Sequence, residues 1–395
     1  MTAAALPGVG ASAGTRWALL LGNFAIGCGV MVVPGALNDL ARDLAVPVST
    51  AGQIITVAAW AMAVSAPLLA ALLSRFDRRW LLTVSLAWFA AGHALSAAMP
   101  SLAALLPVRA ATVVAGAVFT PAAAAVVGAL ALPHKRGEAI TFIFLGWSLA
   151  SVLGVPMANY VSETVGWRTA FAIVSALAAA AALGTWLHTP AGLRPSATTL
   201  RDLAGVLARP DLMVIVAVTA LSATGQFALF GYMAPYFHHV LHASPAEASG
   251  LFLWFGLFGL AGSVWMTRWI DRLGAGRAAS IGLAAMAMSL LCWPWATGVA
   301  SMALVLTPWA LGCFSSNSAQ QARLAAAAPA LAAVLVSLNS SAMYVGQGIG
   351  AAAGGLLLDS LGYASLAPAA AAGMLFAVSL SLWAVRRERG RPPAR

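Results

Sequence analysis

Charge is what this sequence lacks. Charged residues occupy 8% of its 395 positions while apolar residues occupy 61%, whereas soluble domains carry roughly 25% charged residues. No soluble fold hides that much apolar surface. At about 20 residues per spanning helix plus a short connection, the chain accommodates a dozen spans and no sizeable soluble domain. Cysteine is scarce: Cys28, Cys292 and Cys313 all fall in apolar runs, without the spacing of a metal site or a disulfide framework, and read as packing residues. Lysine is nearly absent, with Lys135 alone against twenty arginines, which points to a GC-rich bacterial source. Also missing are H-E-x-x-H, G-x-S-x-G and a phosphate loop, so nothing marks an enzyme, a cofactor or a metal.

What is present is a series of span-length apolar runs. They place helices at 17–37, 49–73, 80–99, 101–131, 138–160, 168–188, 211–240, 246–268, 277–297, 299–321, 329–357 and 364–385. The first run has no small-residue exit site and reads as a first helix rather than a cleaved signal. The net charge of +10 would suggest nucleic acid in a soluble protein. Here the arginines gather in one set of loops and in the tail, so the partner is a lipid bilayer, and the basic-residue bias puts both termini in the cytoplasm. The stretch from His188 to Asp211, with Pro190, Pro195 and Pro210, separates two sets of six spans. The expected organisation is a segment 1–16, a bundle 17–188, a linker 189–210, a second bundle 211–385 and a basic tail 386–395.

Shifting the chain by 196 positions sets Gly116 on Gly312, Gly154 on Gly350, Glu163 on Asp359 and Gly166 on Gly362. The fold class is therefore an all-α integral membrane protein, twelve transmembrane helices in two pseudo-symmetric six-helix bundles around a midplane cavity. Small residues recur four apart at Gly146, Ala150 and Gly154, and again at Gly346, Gly350 and Gly354. That spacing stacks them on one helix face. Two readings stay open, ordinary packing and a sliding seam between the halves.

On these residues the chain resembles the major facilitator superfamily, within it the twelve-span drug:proton antiporter branch that includes arabinose-efflux-like permeases. Gly146-Trp147-Ser148 through Gly154-Val155-Pro156 is similar to the branch's antiporter motif, and Gly166-Trp167-Arg168 opens the next helix as in relatives. Arg109 with Gly116 and Pro121 looks like the family's buried-arginine motif, and Gly231 to Pro235 is also similar to the branch. The family's latch loop reads Ser74-Arg75-Phe76-Asp77-Arg78-Arg79 here, with Ser74 at the aspartate position and Asp77 as a substitute anion; the second half keeps Asp271-Arg272. The resemblance implies a monomeric carrier in a bacterial inner membrane, exporting a small molecule in exchange for protons. A facilitative or import carrier, and a non-transporting receptor on the same scaffold, are the competing readings.

Proton-coupled carriers commonly use a carboxyl group inside the membrane, where desolvation brings it into the working range. All eleven acids here fall in loops or near helix ends. Asp39 is the nearest coupling candidate, with helix capping as the alternative; His93 is the other, with packing as its alternative. Arg109 is the charge expected at depth, facing solute or tying helices, with backbone carbonyls, Asn23 or Gln53 as partners. The remaining cavity candidates are Trp147, Gln226, Tyr232, Trp254, Asn317, Asn339, Tyr344 and Gln347. A lining of amides, aromatic rings and one arginine favours neutral or anionic solutes, because a buried cation would lack a counter-ion. His238, His239 and His242 have metal-like spacing but read as an interfacial polar rim.

Overall fold

A computed structural model describes residues 12–73, 75–132, 135–193, 200–328 and 331–389. Twelve helices are long and apolar enough to cross a membrane: α1 (Ala13–Asp43), α2 (Val48–Leu69), α3 (Arg78–Ala97), α4 (Leu102–Leu130), α5 (Glu138–Val165), α6 (Trp167–His188), α7 (Pro210–His239), α8 (Pro245–Ile270), α9 (Ala275–Trp295), α10 (Val299–Ala327), α11 (Val334–Leu361) and α12 (Tyr363–Arg387). They correspond one to one with the expected spans, and several run further. Ser12 accepts from the Thr15 amide at 3.1 Å and starts α1 four residues early. α10 continues past 321 to Ala327, because nothing stops it before Pro329, which disfavours helix at the residue preceding it. Arg323, expected in a loop, is consequently buried within a helix, as Arg78 and Arg109 are.

Sharp reversals between helices are made where the backbone turns left-handed. Gly166, between α5 and α6, has φ +112°, and Gly362, between α11 and α12, has φ +76°. A side chain would be strained at either position. These are two of the residues that the 196-residue shift superimposes.

The helices form two six-helix bundles with matching internal contacts. α1 packs on α5, α2 on α4 and α3 on α6; in the second half α7 packs on α11, α8 on α10 and α9 on α12. One tie recurs: Asn23 Nδ2 donates to the Ile143 carbonyl at 3.1 Å, and Thr219 Oγ1 donates to Asn339 Oδ1 at 2.6 Å. Both ends of the second tie lie 196 residues beyond the first.

Between halves, α2 packs against α11 and α5 against α8. These contacts run from mid-helix to the end of the molecule that carries the C-terminus of α1. Trp60 borders Gly348, and Gly256 meets the backbone at Val152. Nearer that end, Ser249 Oγ donates to Asn159 Oδ1 at 3.0 Å, and Ser49 Oγ to Asp359 Oδ1 at 3.5 Å. α7 breaks at Gly231-Tyr232, and the Tyr232 ring wedges between Gly52 and Gly355.

The two glycine stripes are not the seam between halves. A side chain at Gly146 would strike the Leu20 carbonyl of α1, and one at Gly350 would strike the Thr224 carbonyl of α7. Gly154 faces Cys28 on α1, and Gly346 faces Ala220 on α7. Each stripe lets two helices of the same half approach closely, so the packing reading holds and the sliding-seam reading is corrected.

Candidate functional site

Arg109 sits two turns into α4, and its guanidinium reaches the level of Gly29, the middle of α1. It is 1% exposed. Nη2 donates to the Gly29 carbonyl, and Nη1 lies 2.8 Å from His93 Nε2. His93 Nδ1 is 2.9 Å from the Phe89 carbonyl, which can only accept, so Nδ1 carries the proton. Nε2 is then a bare lone pair that accepts from Arg109, and His93 is held as the neutral tautomer. The Phe171 ring lies 5.5 Å from the guanidinium carbon. Asn23 and Gln53 are therefore not the partners of Arg109, whereas the backbone carbonyl is. Arg109 Nε has no hydrogen-bond partner.

A narrow pocket beside Arg109 is lined by Val33, Ile54, Met62, Val113 and, from the other half, Gln347. Gln347 is 6% exposed, and its amide has no hydrogen-bond partner among the described residues.

The other cavity candidates separate into groups. Asn23 also accepts from Thr120 Oγ1 at 2.9 Å, and Trp147 Nε1 donates to that hydroxyl at 3.2 Å, joining α1, α4 and α5. Gln226 Nε2 donates to Cys313 Sγ at 3.0 Å, giving a cysteine read as packing a polar role. Trp254 Nε1 donates to Thr307 Oγ1 at 3.0 Å. Tyr232 is fully buried with its hydroxyl on the Ala351 carbonyl at 2.8 Å, so it wedges helices rather than lining open space. Asn317 turns its amide toward Met343 Sδ at 3.7 Å and leaves Oδ1 without a partner. Asn339 is buried in its tie to Thr219, Tyr344 is half-buried and Gln53 is exposed. Thr120 escaped the sequence reading, although it lies eleven residues, three helical turns, beyond Arg109 on the same face.

The coupling and latch candidates that are described make the following contacts. Asp39 Oδ2 accepts from the Trp167 amide at 2.6 Å, closing the N-terminus of α6, and its other oxygen pairs with Arg42. Beside it Asp43 accepts from Trp167 Nε1 at 2.9 Å and pairs with Arg168. Asp39 therefore caps α6 in this conformation. Asp77 caps α3 through the Trp80 amide at 3.2 Å and holds the amide of Gly192 at the start of the linker. Arg78 is buried, Arg75 is exposed, and Arg272 lies over the Trp269 ring at 5.3 Å. Pro156 interrupts the hydrogen-bond ladder of α5 one turn after Val152, where α8 approaches. Asp271 lies in the last turn of the helix Pro245–Leu273 that carries α8; Ser74, residues 1–11, the linker positions 194–199 and the tail 390–395 lie outside the described residues.

Two related bundles of six membrane helices, with polar groups gathered near mid-depth, define a multi-pass membrane carrier. Comparison with known proteins gives its family. The model of the Major Facilitator Superfamily matches residues 19–333 and 215–395, and the chain belongs to that family. It is 32% identical over 371 residues to a chloramphenicol resistance protein of Streptomyces lividans, covering 90% of this chain and 92% of that one. It is 29% identical over 337 residues to a probable sugar efflux transporter of Mannheimia succiniciproducens, covering 85% and 84%. Its fold matches the inward-facing, unoccupied structure of a bacterial homolog of the human lysosomal transporter Spinster, with TM-score 0.75 and 18% identity, over 96% of this chain and 98% of the other.

Proposed function

We propose that the protein exports a small neutral or anionic organic solute from a bacterial cell by alternating access, with proton exchange as the coupling that its resemblance to the antiporter branch implies. The observation that carries this reading is the charge at depth. Arg109 stands in mid-membrane held by neutral groups, and no acid occupies the middle of any span to pair a cationic solute. Relatives named for chloramphenicol resistance and sugar efflux support the outward direction. The arginine bias of the loops supports cytoplasmic termini in the inner membrane. On that orientation the joined ends of the halves face outward, and the described conformation is closed to the outside. The 17–188 and 211–385 bundles are the two moving bodies, and the solute path lies within one chain, so a monomer suffices.

The test is exchange of labelled chloramphenicol in proteoliposomes under an imposed pH gradient. Wild type should accumulate it only with the gradient present, and Arg109→Ala should reach the membrane yet fall to background. Full activity in that variant would remove Arg109 from the reading. Flux indifferent to the gradient would make the protein a facilitative carrier.

A further inference from the structure

Resting on the reading of this chain as a solute carrier, we infer that Arg109 and Gln347 form one compact polar subsite shared by the two halves. The solutes it selects are apolar bodies carrying a single hydrogen-bond acceptor head, a carbonyl or a carboxylate, rather than polyols.

The two residues come from opposite halves, α4 and α11, and line the same pocket. Both are more than nine-tenths buried, at 1% and 6% exposure. Each retains hydrogen-bonding capacity: Arg109 keeps Nε after its other nitrogens are committed to His93 and Gly29, and Gln347 keeps its whole side-chain amide. The rest of the lining is apolar, Val33, Ile54 and Met62 among it. The free space suits about one water-sized group. That is enough for a carbonyl or carboxylate oxygen, with the body of the solute lying outside this pocket.

Most of the polar groups elsewhere in the candidate cavity are already used, while Asn317 Oδ1 and Asn339 Nδ2 stay bare. Asn23 is bonded through both ends of its amide, Trp147 and Trp254 donate to threonine hydroxyls, Tyr232 donates to a carbonyl, and the Gln226 amide donates to Cys313. A polyol surrenders hydrogen bonds to water at every hydroxyl on entering and needs a partner for each. This lining, with two bare amide atoms besides the subsite, returns few of them. A single acceptor head needs only the donors of Arg109 and Gln347, while the aromatic and aliphatic walls take the body. Such a head also bridges the halves beside the α2/α11 contact.

The test is binding to the purified full-length protein by tryptophan fluorescence, with 2-naphthoate, 2-naphthamide, 2-naphthylmethylammonium and glucose as probes. The naphthoate or the naphthamide should bind, and which of them does so assigns an anionic or a neutral head. The ammonium probe and glucose should not. Gln347→Leu should weaken the binding at least ten-fold at an unchanged melting temperature, and Gln347→Asn should weaken it less. Glucose binding on a par with the best naphthyl probe, unchanged affinity in Gln347→Leu, or no binding of either acceptor-headed probe would each overturn the subsite. Exchange of labelled chloramphenicol and of the naphthyl probe that binds is measured alongside: exchange of either that persists while the binding pattern fails removes the subsite alone, and absence of exchange of both removes the carrier reading.

Discussion

An arginine at the centre of a bilayer costs roughly 2.5 to 3.5 kcal/mol on insertion scales, and far more if its donors are left bare. In this protein two of its three nitrogens are occupied by His93 and by a carbonyl in the middle of α1. His93 therefore acts first as a positioning residue. His93→Gln offers an acceptor at similar reach without a titrating ring, whereas His93→Ala leaves a buried Nη1 unsatisfied, which costs about 1–3 kcal/mol or more for a charged donor. The glutamine variant should keep the wild-type melting temperature and chloramphenicol exchange. The alanine variant should lose most exchange and melt several degrees lower. If alanine behaves like wild type in both assays, the contact does not hold Arg109. At this scale the sequence showed that Arg109 is exceptional, because one charge in an apolar run is visible without coordinates. It did not show the partner, since a histidine sixteen residues away on another helix has no sequence signal linking it to that arginine. Asp39 was equally ambiguous from sequence: a carboxylate near a helix end caps or couples, and the cap on the Trp167 amide at 2.6 Å is visible only in the structure.

At the scale of helices, the contacts that cannot yield are those of backbone on backbone. Gly146→Leu would drive a side chain into the Leu20 carbonyl and the Phe24 amide, neither of which can rotate away. Overpacking of this kind typically costs about 1–3 kcal/mol, with backbone collisions at the upper end. The variant should give little folded protein, measured as monodisperse material after detergent extraction. Gly250→Leu, where nothing lies within 4 Å, should give wild-type yield. Comparable yields for the two would mean that α1 and α5 do not need this closeness. The number of helices was legible because twelve apolar runs leave no other solution. Their ends were less so, being set by single residues such as Ser12 and Pro329. The glycine stripes misled in a specific way: four-residue spacing reports that a helix has a flat face, not which neighbour lies against it.

For the whole molecule, the halves meet from mid-helix to one end, where Ser49 and Asp359 approach within 3.5 Å. In a variant without the native cysteines, Ser49→Cys with Asp359→Cys should form a cross-link on oxidation, stop exchange and release it on reduction. Exchange that continues in the cross-linked protein would show that this end need not open. The bilayer location was legible from composition alone, and the duplication from a few glycines in one register. The side on which the halves join was not, because it depends on which of two packings of the same helices is adopted. The repeated tie, Asn23 to the Ile143 carbonyl and Thr219 to Asn339, has a practical consequence. Two lateral bonds at equivalent depth in duplicated bodies give the molecule its own internal reference. A substitution that merely loosens a bundle should do comparable damage at 23 and at 219, whereas one that disturbs the handling of solute should break that equality. The asymmetry between the two copies thereby separates mechanics from recognition within a single chain.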